Sequence, residues 1–136
     1  MQDKKLEIFI IAASVFFLAH TVDHVARDLH WPLTAEAIPF LAATAGILGV
    51  VFGALYLYRR GKLGPPFWAI FGTVAVAVGW LGHFSPFTGQ PPEFIFRAYQ
   101  SSLAGWLAVG TLGGLMLALI AITLRAGMLW AKNPQK

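Results

Sequence analysis

Four stretches of the chain are apolar over most of their length. None carries a polar stripe from end to end, and most of the charged residues lie at their ends or between them. The stretches run from Leu6 to Ala26, from about residue 35 to Tyr58, from Pro65 and Pro66 to His83, and from Ser101 to Leu124. A helix at the surface of a water-soluble core carries a polar face along its length, and these segments do not. A hydrocarbon layer about 30 Å thick takes roughly 20 helical residues to cross. The pattern predicts an all-α integral membrane protein. It is a four-helix transmembrane bundle in a single domain over residues 1–136, with helices over about 6–28, 35–59, 66–83 and 92–130.

The ends of these segments sharpen the picture. The strongly apolar part of the first, Ile8 to Ala19, is too short to span alone. The helix must therefore draw His20 to Ala26 at least partly into the apolar layer. Pro32 breaks it and Trp31 suits an interface. Thr34 is placed to cap the second helix, with Glu36 in its first turn. Gly46, Gly49 and Gly53 then offer a thin face on which another helix backbone can approach closely. Arg59-Arg60-Gly61-Lys62 makes a basic turn. After the third helix, Phe84 to Pro92 is too rich in proline and aromatics for a free linker, and is expected to lie against the bundle. Pro92 suits a first helical position, with Glu93 behind it. A continuous helix from Pro92 to Trp130 would be about 58 Å long at 1.5 Å per residue. The prediction is therefore an interfacial part over Pro92–Gln100 followed by a span over Ser101–Leu124. Arg125, Trp130 and Lys132 anchor the end of that span, and Asn133 to Lys136 form a frayed tail.

Composition agrees with the pattern. The chain is 57% hydrophobic and 12% charged, where a soluble domain carries roughly 25% charged residues. It has no cysteine, which excludes disulfides, iron–sulfur clusters and thiolate metal sites. The net charge of +4 sits beside apolar segments, so it reads as topology rather than as a nucleic-acid surface. No small-residue cleavage site follows the first apolar run, so no cleaved signal peptide is expected. Eight of the ten Lys and Arg residues fall at the two ends and in the Arg59–Lys62 turn. The positive-inside rule then places both termini and that turn in the cytoplasm, across a bacterial or archaeal cytoplasmic membrane crossed several times.

The chemistry concentrates at the end of the first helix. His20, Asp23, His24 and Arg27 are spaced i, i+3, i+4 and i+7, which puts them on one arc of a helix. Two histidines four apart present their rings to a common point, the spacing that metal-binding helices use. Asp23 can be a third ligand, or it can hold an imidazole in one tautomer. His83 closes the third helix, and counting rise puts it and His24 roughly 25 Å from the basic end, with His20 a turn deeper. His20, Asp23, His24 and His83 are thus the metal-site candidates. Arg27, Glu93, Arg97 and Tyr99 are further polar candidates nearby.

Several readings of this cluster stand side by side. The simplest is a polar helix end with surface ion pairs, Asp23 with Arg27 and Glu93 with Arg97. A transition-metal site of nitrogen and oxygen ligands would suit zinc, copper, iron or nickel. A b-type haem could take one histidine of the first helix and His83 as axial ligands, but haem ligation leaves Asp23 unexplained. Histidine also titrates near neutrality, which allows a proton-linked cluster or transporter. Ionisable groups within a span are costly and mark function, although the cost falls toward the interface. Tyr99, Gln100, Ser101 and Ser102 can either satisfy backbone groups or line a cavity. Phosphate-binding loops and serine-triad patterns are absent, and no catalytic residue is assigned. The expectation is a small four-span membrane protein with a His/Asp cluster at the outer leaflet, binding a metal or cofactor as a redox or transport component. The alternatives are an accessory subunit of a membrane complex and a proton-linked transporter. Its expected partners are the lipid bilayer and a homodimer mate or a larger membrane complex, with no nucleic acid.

Overall fold

The computed structural model describes residues 3–28, 37–99 and 101–132. All the regular structure among them is helical: α1 (Lys4–Asp28), α2 (Ala37–Arg59), α3 (Pro65–His83), α4 (Pro92–Arg97) and α5 (Ser102–Lys132). Four of the five, all but α4, are long and apolar enough to cross a membrane. The sequence expectations for Trp31, Pro32, Thr34, Glu36, Gln100 and the last four residues lie outside the described residues.

Local chemistry sets the helix ends. Asp3 caps α1, its Oδ1 accepting the Leu6 amide at 2.8 Å. The helix thus starts two residues before the first apolar position. At the end of α2, Lys62 N–H donates to Leu57 O and Gly61 N–H to Tyr58 O, both at 2.9 Å. This double closure needs a left-handed residue, and Gly61 supplies it with φ of 68°. Pro65 and Pro66 open α3, where a missing N–H costs nothing. The long fourth segment divides as its length required. The short α4 ends at Arg97, and α5 begins at Ser102 and runs eight residues beyond the expected span end at Leu124.

The α5 helix is the hub. Its buried positions Leu112, Leu115, Leu119, Ile122 and Ala126 alternate at three and four residues, which keeps one seam facing its neighbours. Leu6, Ile10 and Ala13 of α1 and Trp68 and Ala69 of α3 join that core. The α4 helix folds back on the start of α5 through Ile95, Ala108 and Leu112. The α2 helix leans mainly on α1 and makes no comparable contact with α3. Large apolar side chains point outward all round, among them Val22, Val50, Val78 and Leu117, each more than half exposed. Hydroxyls on the spans are returned to their own helix: Ser14 donates to Ile10 O, Thr21 to Phe17 O and Thr123 to Leu119 O at 2.9–3.0 Å.

One end of the bundle is laced by ion pairs. Arg125 donates to both oxygens of Asp3, through Nε at 3.1 Å and Nη2 at 2.5 Å. Arg59 Nη2 meets Glu7 Oε2 at 2.9 Å, and the Asp3 amide donates to the Tyr58 hydroxyl at 3.0 Å. Arg125 is thus no helix-end anchor, as the sequence suggested. It ties α5 to the start of α1, because α5 continues nearly two turns past it. The histidines lie at the opposite end.

Candidate metal centre

The sequence places His20 and His24 one turn apart on α1, and the fold turns both rings inward toward the last residue of α3. One ring nitrogen from each of His20, His24 and His83 lies within 4.8 Å of the other two. His20 Nε2 and His83 Nε2 are 3.2 Å apart. The ring centroids are separated by 4.7 Å for His20–His24, 5.0 Å for His20–His83 and 5.8 Å for His24–His83. His20 is buried and the other two half-buried. His20 therefore meets His83 directly, where rise along the helices had paired His83 with His24.

The loop after α3 fixes the state of His83. Ser85 Oγ donates to Leu81 O at 2.8 Å, Thr88 Oγ1 donates to Gly82 O, and Gln90 N–H donates to Thr88 Oγ1 at 3.0 Å. These bonds curl the loop so that Gln90 O lies 3.1 Å from His83 Nδ1. A carbonyl only accepts, so Nδ1 carries the proton. Nε2 then presents its lone pair to the other two rings. Outer partners that set a ligating histidine's tautomer in this way accompany most histidine metal sites.

Asp23 stands outside the convergence. Its Oδ1 accepts the Tyr99 hydroxyl, and its Oδ2 lies 3.5 Å from Arg27 Nη2 and 4.0 Å from His20 Nδ1. His20 Nδ1 and Asp23 Oδ2 are both buried, and no hydrogen bond reaches either among the described residues. The carboxylate is thus behind His20, on the side away from the other rings. It has the position of a group that receives the imidazole proton rather than that of a fourth ligand.

Arg27 closes the site from above. Its Nη2 lies 3.3 Å from His24 Nδ1 and 3.4 Å from Gln90 Oε1, and the guanidinium sits over Phe94 at 5.9 Å from the ring centre. A guanidinium can only donate. Its contact with His24 Nδ1 therefore holds the His24 proton on Nε2. Coordination through that nitrogen requires Arg27 to turn onto Asp23 and Gln90.

Of the remaining candidates, Tyr99 reaches the site through Asp23. Glu93 and Arg97 pair with each other, at 3.8 Å, with side chains more than four-fifths exposed. Gln90 is the participant that sequence reasoning missed. Its only signal was a loop too apolar to run free. Below the histidines a cavity of about 480 Å³ extends down the bundle to Ile10, Trp68 and Ile122, with almost wholly apolar walls.

The chain matches no known protein family model, no characterised protein and no solved structure.

Proposed function

We propose that this is a multi-pass membrane protein that holds one divalent transition-metal ion on His20, His24 and His83. The observation that carries the reading is the meeting of His20 Nε2 and His83 Nε2 at 3.2 Å, with the far nitrogen of His83 already donating to a backbone carbonyl. Two nitrogens bound at about 2.0–2.1 Å on a tetrahedral ion lie roughly 3.3–3.4 Å apart. The observed spacing supports that geometry. Axial haem nitrogens lie across the iron, about 4 Å apart from twice a bond near 2 Å. They also need the macrocycle between the rings, so the T-shaped contact at 5.0 Å supports a bare ion over haem.

Three protein ligands leave one position of a tetrahedral ion open, the layout of sites that act on a bound molecule or pass an ion on. The three histidines that would hold the ion also line the upper end of the cavity. The ligand set of neutral imidazoles suits zinc, copper, iron or nickel, and the reading is of a redox or transport component. Outward-facing apolar side chains on every long helix support insertion in a bilayer. The gathering of Lys4, Lys5, Arg59, Arg60, Lys62, Arg125 and Lys132 toward the other end supports a cytoplasmic basic end and a metal centre near the outer leaflet. A Cβ at Gly46, Gly49 or Gly53 would meet nothing within 4 Å, so this face of α2 is open, which supports self-association through it.

Elemental analysis of the purified full-length protein tests the reading. One equivalent of a first-row metal in wild type, lost in His20→Ala and His83→Ala, is the expected result. Wild type with no stoichiometric metal after loading, or variants that retain it unchanged, would refute it. A proton-linked cluster would instead leave the His20–His83 contact as an N–H···N bond between neutral rings, with no metal in either protein. Reporter fusions at Lys62 and Gln90 test sidedness, with a cytoplasmic signal expected only at Lys62.

A further inference from the structure

The cavity beneath the histidines does not look like a packing defect. Its volume of about 480 Å³ falls within the 300–1,000 Å³ or so typical of small-molecule sites. It follows α3 from His83 down to Trp68, about 22 Å at the helical rise. Its walls are mostly aliphatic and aromatic, and the Ser14 and Thr21 hydroxyls along it are already spent on their own helix. The polar end of the cavity is the one lined by His20, His24 and His83.

The cavity also has a side door. Ile47 of α2 and Val74 and Val78 of α3 line it, yet they are 46%, 57% and 64% exposed. The two helices that carry them do not close on each other, because α2 rests on α1. In a bilayer that gap opens to lipid, not to water. Gly82, one residue before His83, lines the cavity with nothing within 4 Å of where a Cβ would stand, so the upper part of the passage is clear.

We infer that the cavity binds a lipid-soluble amphiphile, with one long apolar chain lying between α2, α3 and α5 and an oxygen-bearing head at the histidines. The molecule enters sideways between α2 and α3. An oxygen donor would complete the coordination of an ion held by His20, His24 and His83, so placement of the head rests on the metal reading, whereas placement of the chain does not. A long-chain fatty acid and a quinol with an isoprenoid tail share this chemistry. Trp68 marks the competing orientation. It is fully buried at the inner end, and its indole N–H has no hydrogen-bond partner among the described residues. A head placed there would leave the histidines facing the chain.

Full-length protein in lipid nanodiscs, titrated separately with radiolabelled oleate and with a long-tailed menaquinol, tests the inference. One equivalent of at least one probe is expected to bind saturably, and the probe that binds names the source. Ala43→Phe on α2 and Ala75→Phe on α3 narrow the passage from opposite sides. Each should weaken binding roughly tenfold or more by displacing chain contacts, with cobalt content unchanged. Ala43 is exposed, so its variant keeps the test open should Ala75→Phe fail to fold. His20→Ala should lose cobalt and weaken probe binding more than Trp68→Phe does, because Trp68 touches only the far end of the chain. If wild type binds no cobalt, the metal reading fails while the two cavity variants still read the chain. The inference is overturned if neither probe binds, if both cavity variants bind like wild type, if the tail-less head groups bind as tightly, or if Trp68→Phe weakens binding and His20→Ala does not.

Discussion

His20 and His83, 63 positions apart in the chain, bring their Nε2 atoms to 3.2 Å at the end of the bundle opposite the Arg59–Lys62 turn. Behind each ring stands a group suited to hold its other nitrogen. For His83 it is the Gln90 carbonyl at 3.1 Å, and for His20 the Asp23 carboxylate at 4.0 Å. The two differ in one respect. The Gln90 acceptor is backbone and survives substitution, whereas Asp23 is a side chain that can be changed.

Asp23→Asn is therefore expected to weaken metal binding by roughly 10–100-fold, the usual cost of losing an outer partner of a ligating histidine. Tyr99→Phe removes the donor to Asp23 Oδ1 and should cost less. Competition titrations against a chelator of known affinity check both. Equal affinity in Asp23→Asn and wild type would mean that the carboxylate does not support His20.

Arg27 should act in the opposite direction. Its fixed positive charge lies beside the site, and it holds the His24 Nδ1 lone pair. A unit charge about 4 Å away is worth around 4 kcal/mol at an effective dielectric of 20. Arg27→Gln should tighten divalent-metal binding tenfold or more. It also leaves Asp23 without a buried counter-charge, so the metal-free protein should melt lower. The rise in Tm on adding metal should exceed that of wild type. A smaller rise would show that Arg27 does not hold His24 back.

The far end of the molecule offers a pH test. The Arg125 guanidinium, through its hydrogen bond to Asp3, holds that carboxyl below the usual carboxylate range, and the Leu6 amide helps while burial opposes. A carboxyl depressed in the folded protein stabilises it above the ordinary value near 3.9, and the contribution is lost as pH falls through the lower folded value. Asn caps a helix about as well as Asp, so Asp3→Asn removes the charge while keeping the cap. The variant should melt below wild type at pH 7, and the gap should close as pH falls below the usual carboxylate range. A gap that persists in acid would assign it to the cap instead.

Two glycines separate internal packing from association. A Cβ on Gly105 would stand 2.8 Å from the Phe96 backbone oxygen, so Gly105→Ala must push α4 off α5. Overpacking of this kind costs about 1–3 kcal/mol, and the strain should loosen Tyr99 from Asp23. A Cβ on Gly49 would meet nothing within 4 Å, so Gly49→Leu should leave the melting curve of the monomer unchanged while weakening self-association. Thermal melts and cross-linking in membranes read the two effects, and a lower Tm for Gly49→Leu would place that face inside the fold.

Much of this was legible in the sequence. Apolar run length marked all four long helices, and the excess length after Pro92 required the break that separates α4 from α5. Helical spacing put His20, Asp23, His24 and Arg27 on one arc, and counting rise brought His83 near their level. The sequence is silent where loop geometry decides. Nothing in the Phe84–Pro92 stretch announces that hydrogen bonds from Ser85 and Thr88 aim the Gln90 carbonyl at His83. Nor does helical spacing fix that Asp23 lies behind His20 rather than beside it. That depends on Tyr99, 76 positions away. Asp3 and Arg125 are 122 positions apart, and an arginine near the end of an apolar run reads as an interface anchor until the partner is seen.

The central claim is that His20 and His83 share one metal ion, and a cobalt titration followed by visible absorbance tests it most directly. Wild type should develop the ligand-field bands of a tetrahedral site rich in nitrogen and oxygen donors, saturating at one equivalent. His20→Ala and His83→Ala should each abolish them, and Glu93→Gln should leave them untouched. Absence of those bands in folded wild-type protein, or their persistence in both alanine variants, would contradict the account.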